Sequence, residues 1–127
     1  MPDCKFVVAA ARVDGVCREV IDKVVRHHEV VLSVPILSEY EAVAERPGQA
    51  PHRDTLRFVI GEIERLAVTV EPASLMFGLR DPDDEVYLAT AAAGGAILIT
   101  GNTRDFTQPR YGPVEIWSPR VFLDRTA

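Results

Sequence analysis

Acidic side chains hold most of the chemical potential of this chain, and their placement matters more than their number. Glu39, the run Asp81, Asp83 and Asp84, and Asp105 all fall where a folded chain could turn a carboxylate toward a neighbour. Several carboxylates meeting in one cleft repel strongly unless a divalent cation sits among them. Oxygen ligands of this kind suit Mg2+ or Mn2+ rather than zinc. Glu39 belongs to a helical stretch, residues 35–45, whose apolar stripe is Ile36, Tyr40 and Val43, and its spacing from Ile36 and Val43 puts it on that face. Glu41 and Glu45 point away, toward solvent. A carboxylate on the buried side of a helix is costly unless paired, hydrogen-bonded or metal-bound. Helical geometry alone leaves two readings of Glu39 open, a site group or a boundary glutamate snorkelling past its neighbours.

The aspartates near position 80 have a ready local explanation. Asp81 can cap a helix whose first residue is Pro82, where a missing N–H costs nothing. Asp83 and Asp84 then lie in the first turn, where the helix dipole favours each acid by about 0.3–1 kcal/mol. Asp84 differs in lying above Leu88 and Ala91, on the side expected to face a sheet, so it is the aspartate expected to point inward. The helix continues to Ala93 and Gly94-Gly95 stops it. Residues 96–99 (AILI) form a short apolar run, as expected of a strand covered on both faces. It delivers Thr100, Gly101, Asn102 and Asp105 to its carboxyl end, the usual place for sites in open α/β sheets. The competing account is an ordinary turn whose Asn and Asp side chains bond backbone.

The remaining elements must position these groups. Residues 5–11 (KFVVAAA) are a short buried strand or the first turns of an apolar helix, and periodicity does not decide. Asp14-Gly15 marks a turn. From 16 to 28, Val16, Val20, Ile21, Val24 and Val25 recur with helical spacing. Arg26, His27 and His28 end that helix with charges suited to its dipole, so an exposed helix end is expected there rather than a metal site. Residues 29–33 read as a strand, and Pro35 opens the helix bearing Glu39, with Ser33 or Val34 near its cap. Residues 46–48 break the pattern. A helix over 52–67 follows, then a strand over 68–70. After the central stretch come a Pro/Gly loop at 109–113, a strand at 114–116, and a short helix capped by Ser118-Pro119 and reaching Asp124. Strands alternating with helices predict one α/β domain over residues 1–127, a sandwich with a mostly parallel central sheet.

A chain of 127 residues is long enough for a real core. The formal net charge of −5 argues against a protein that grips nucleic acid mainly through phosphates, yet a basic rim around an acidic site remains compatible with it. No apolar run is long enough to span a bilayer, and the N-terminus has no secretory signal pattern. Cys4 and Cys17 lack CxxC or zinc spacing, which fits reduced thiols in a cytoplasmic protein. No Asp-x-Asp pair follows an early apolar strand, which disfavours aspartyl phosphotransfer.

Glu39 in PILSEYEAV, Asp84 in RDPDDEVYLATAAAGGA and Asn102/Asp105 in ILITGNTRDF together resemble the PIN-domain ribonucleases, in the branch made up of toxins of toxin–antitoxin pairs. The closing segment VEIWSPRVFL resembles that branch as well, so the likeness covers nearly the whole chain after Asp14. The resemblance implies a PIN-like α/β/α sandwich and an acidic Mg2+ or Mn2+ site that hydrolyses RNA phosphodiesters. Glu39, Asp84 and Asp105 would be the metal-binding acids, with Thr100 and Asn102 supporting. It implies an antitoxin protein as partner, a cytoplasmic location without a membrane, and, by analogy, a homodimer.

The departure lies at the front, over residues 1–12. The family places a strand before an Asp-Thr-Asn signature whose aspartate is a central ligand. One alignment sets Pro2-Asp3-Cys4 over that signature, offering Asp3 as a displaced ligand with no strand before it. The other makes residues 5–8 the strand and puts Ala9-Ala10-Ala11 in the signature's place. Either way the first acid is missing or misplaced, and a catalytically impaired PIN-like binding module is the alternative to a ribonuclease.

Overall fold

The computed structural model describes residues 5–9, 15–74, 76–102 and 104–126, with the helical backbone alone for 15–18. Strand β1 (Lys5–Val8) leads to helix α1 (Gly15–His27), strand β2 (Glu29–Leu32) and helix α2 (Val34–Ala44). A 3-10 turn (Pro47–His52) joins α2 to helix α3 (Arg53–Leu66), and strand β3 (Val68–Thr69) follows. Helix α4 (Pro82–Gly94), strands β4 (Ile97–Ile99), β5 (Arg110–Tyr111) and β6 (Val114–Trp117), and helix α5 (Pro119–Arg125) complete the described chain. The six strands form one sheet in the order β3-β2-β1-β4-β6-β5, parallel except for β5, which runs antiparallel to β6.

The apolar runs explain why β1 and β4 lie at the centre. Phe6, Val7 and Val8 are all buried, as are Leu98 and Ile99, so neither strand has a solvent face. The pairing of residues 6–8 with Ile97, Leu98 and Ile99, and of Lys5 and Phe6 with Glu29 and Val30, settles what periodicity left open at the front: residues 5–8 are a strand. Steps from β1 to β2 to β3 run one way across the sheet, and β3 to β4 runs back. Right-handed crossovers therefore put α1 and α3 on one face and α4 on the other. The change of direction leaves a crevice at the carboxyl ends of β1 and β4.

Helix boundaries follow their local chemistry. Asp81 caps α4 in extended geometry and accepts from Asp83 N–H, with Pro82 in the first turn. At the other end, Gly95 adopts φ 64°, and the N–H groups of Gly95 and Ala96 return to the last carbonyls of the helix. Ala96 is thereby drawn into the cap, which is why β4 starts at Ile97 and not at Ala96. Gly94 is still helical and serves packing, since a Cβ there would lie 2.5 Å from Val31 Cγ1. Three further boundaries differ from expectation. The break at 46–48 is the start of the 3-10 turn. The loop at 109–113 contains the edge strand β5. His28 packs edge-on against Phe6 and Phe122 instead of completing an exposed helix end.

Candidate functional site

At the carboxyl end of β4, Thr100 is buried and its N–H donates to Trp117 O, so the chain leaves the sheet from a fixed point. Thr100 Oγ1 accepts from Asn102 N–H at 3.0 Å. Asn102 then organises the turn, its Oδ1 accepting from Asp105 N–H at 3.2 Å and its Nδ2 donating to Asp105 Oδ2 at 2.9 Å. Phe106, buried just beyond, donates its N–H to Asn102 O and anchors the loop. These are the bonds of an Asx-type turn, and they also fix the direction of the Asp105 carboxyl.

The first turn of α4 brings the second acid to the same place. Asp83 is exposed, whereas Asp84 is half-buried and its carboxyl adjoins that of Asp105. Burial, the hydrogen bond and charge of Asp105, and the charges of Asp81 and Asp83 push Asp84 up to about 6. Asp105 moves the other way: the Asn102 hydrogen bond, then Asp84, Arg80 and Arg104, hold its carboxyl below the usual range. The two directions together favour the protonated form at Asp84 and the charged form at Asp105. The second oxygen of Asp84, Oδ2, is buried and has no hydrogen-bond partner. Two carboxyls, one of them with an orphaned oxygen, form a donor set suited to a hard cation. Mg2+ in particular is commonly held by one or two carboxylates plus water and substrate oxygens.

Glu39 lies elsewhere in the charge pattern. It shares the inward face of α2 as its spacing predicts, but its side chain is 32% exposed and pairs with Arg46 Nη2 at 3.6 Å. Among the described residues no three His, Cys, Asp or Glu side chains gather to hold a metal ion. The structure thus assembles Asp84, Asp105, Asn102 and Thr100 and leaves Glu39 on Arg46. Asp3 lies outside the described residues.

Three supporting groups escaped sequence reasoning. Glu85 is buried, and its carboxylate accepts from Phe77 N–H at 2.9 Å and Leu79 N–H at 2.7 Å, tying the segment before α4 to that helix. A signal existed, since Glu85 stands three and four residues before the buried Leu88 and Ala89. Tyr40 is buried and its hydroxyl donates to Val8 O at the end of β1; burial, and then Tyr87, push its phenol well above the usual value. Ser33 and Thr90 share a buried hydroxyl–hydroxyl bond of 2.8 Å between the end of β2 and α4. Nothing in the spacing of two hydroxyls 57 residues apart announces that contact.

With this geometry in hand, comparison with known proteins is decisive for the family. The family model described as PIN domain matches residues 3–104. The chain belongs to the PIN domain family. The crystal structure of DNA-bound VapBC from Salmonella typhimurium is similar at a TM-score of 0.61 and 16% identity, over 91% of this chain and 98% of that one. VapBC2 from Rickettsia felis, bound to a DNA fragment from its promoter, is similar at 0.56 and 12% identity, over 90% and 98%. At such identities the likeness is one of fold. No curated protein matches the chain.

As a PIN domain, the chain departs from its family at the end of β1. The family resemblance calls for an aspartate just after that strand, and Ala9 stands there, its N–H donating to Ile99 O at 2.9 Å. PIN domains are generally metal-dependent nucleases. Among the described residues no helix of this PIN domain is long and apolar enough to cross a membrane.

Proposed function

We propose that this chain is a metal-dependent endoribonuclease of the PIN toxin type, acting on RNA phosphodiesters in the cytoplasm as a single domain. The observation that carries the reading is the Asp84–Asp105 carboxyl pair, with its orphaned Asp84 oxygen, at the carboxyl ends of the central strands. Asp84 and Asp105 would hold Mg2+ or Mn2+, which when bound activates water and neutralises charge on the phosphate. Asn102 fixes the Asp105 carboxyl through two bonds, and Thr100 fixes Asn102. Glu39 serves as the third acid once it exchanges its exposed pairing with Arg46, an interaction of low strength by its exposure. Asp84 loses its proton above about pH 6, so the pair is free to hold a cation at neutral pH. The similar structures are described as VapBC, and an antitoxin protein, together with a second copy of the chain, is the partner set that fits this reading.

Ala9 supports a second reading, a PIN domain that has lost cleavage and persists as a protein- or RNA-binding module. Loss of a central carboxylate weakens metal binding and costs far more than tenfold in rate. Incubation of labelled RNA with the chain and Mn2+, beside Asp84→Asn and Asp105→Asn, separates the two. Cleavage by the parent chain that drops at least a hundredfold in both variants supports the nuclease. Absence of cleavage by the parent chain leaves the binding module.

A further inference from the structure

Two arginines adjoin the acidic pair and are held there by different devices. Arg80 ends the segment that Glu85 pins through Phe77 and Leu79, and it directly precedes the Asp81 cap of α4. Arg104 sits inside the turn closed by Asn102, Asp105 and the buried Phe106. Their backbones are therefore fixed while both side chains remain exposed. Arg104 directly precedes Asp105, and Arg80 stands four residues before Asp84. Neither forms a salt bridge among the described residues. The arginines of α3 differ: Arg53 and Arg57 pair with Glu45, and Arg65 with Glu62. A chain of net charge −5 thus keeps two guanidinium groups without a salt bridge beside the Asp84–Asp105 pair.

We propose that Arg80 and Arg104 are the phosphate-binding side chains of this site, gripping the sugar–phosphate backbone of a single-stranded RNA beside Asp84 and Asp105. The choice of polyanion rests on the nuclease reading above. A guanidinium offers forked donors to phosphate oxygens, and a pair of them offsets the repulsion between a polyanion and two carboxylates. The site then selects substrate by backbone charge and leaves base identity to other surfaces.

The test is binding of a fluorescein-labelled single-stranded RNA in EDTA, where cleavage is silent, measured over a range of salt concentrations. Each phosphate neutralised on a single strand contributes about 0.7 to the slope of log affinity against log salt. Arg80→Ala/Arg104→Ala should therefore lower the magnitude of the slope by about 1.4. Arg80→Lys/Arg104→Lys should restore most of it, and Arg26→Ala, on α1 and paired with Asp22, should leave it unchanged. No binding by the parent chain, an unchanged slope in the double alanine variant, or an equal loss in Arg26→Ala overturns the proposal. Cleavage with Mn2+ is scored separately. A lowered slope without cleavage removes the nuclease and keeps the arginine pair, whereas cleavage with an unchanged slope does the reverse.

Discussion

Asp84 is the residue on which the proposed chemistry turns, because its environment raises its affinity for a proton. Its carboxyl is raised to about 6 by burial and by Asp105, while an unfolded chain leaves it near the ordinary 3.8. The folded state thus holds the proton more tightly, so stability is greatest below about pH 4, falls as pH rises to about 6, and is level beyond. Asp105 has the opposite sign: its lowered carboxyl adds stability above its ordinary value, lost as pH falls through the folded one. Asp84→Asn should therefore gain stability relative to the parent chain between pH 4.5 and 7.5, on the order of 1 kcal/mol after solvent screening. Urea midpoints at the two pH values measure the difference, and an equal effect at both would show that Asp84 does not carry the strain. Sequence alone picked Asp84 over Asp83 from its position above Leu88 and Ala91. It did not show that Glu39 would meet Arg46, because an ion pair across a helix end depends on how the following turn folds.

The elements that carry these acids were largely legible, since their signals are local. Asp81-Pro82, Gly94-Gly95 and Ser118-Pro119 mark helix ends through chemistry contained within a few residues, and the structure places caps at each. Contacts made across long loops were not legible. Glu85 bonds backbone six and eight residues upstream, in a segment without periodicity, and so fixes where α4 begins. Removing its carboxylate strands two N–H groups, so Glu85→Ala should cost about 2–4 kcal/mol in urea unfolding. Glu85→Gln, which keeps one good acceptor, should cost about half as much. A loss below about 0.5 kcal/mol in Glu85→Ala would mean that water replaces the carboxylate and that the segment is not pinned. The edge strand β5 was hidden for a related reason: two residues between a Pro and a Gly become a strand only by pairing with β6.

For the molecule as a whole, alternating strands and helices were enough to predict a mostly parallel sheet, with candidate groups at the carboxyl end of β4, and the family match agrees with that architecture. The front end is where sequence and family part. A run of small apolar residues reads equally as strand or helix until β2 and β4 pair with it, and only then does Ala9 emerge at the place of an expected acid. The proposed cation site therefore rests on the Asp84–Asp105 pair, with Glu39 joining as third acid only on leaving Arg46. Thermal unfolding at pH 7.5 with and without Mn2+ tests this most directly, because a cation that binds only the folded state must stabilise it. At a hundred times its dissociation constant the gain is about 2.7 kcal/mol, a rise of several degrees in Tm for a chain of this size. The parent chain should show that rise and Asp84→Asn should lose it. No rise in the parent chain, or an equal rise in Asp84→Asn, would contradict a cation site at the Asp84–Asp105 pair.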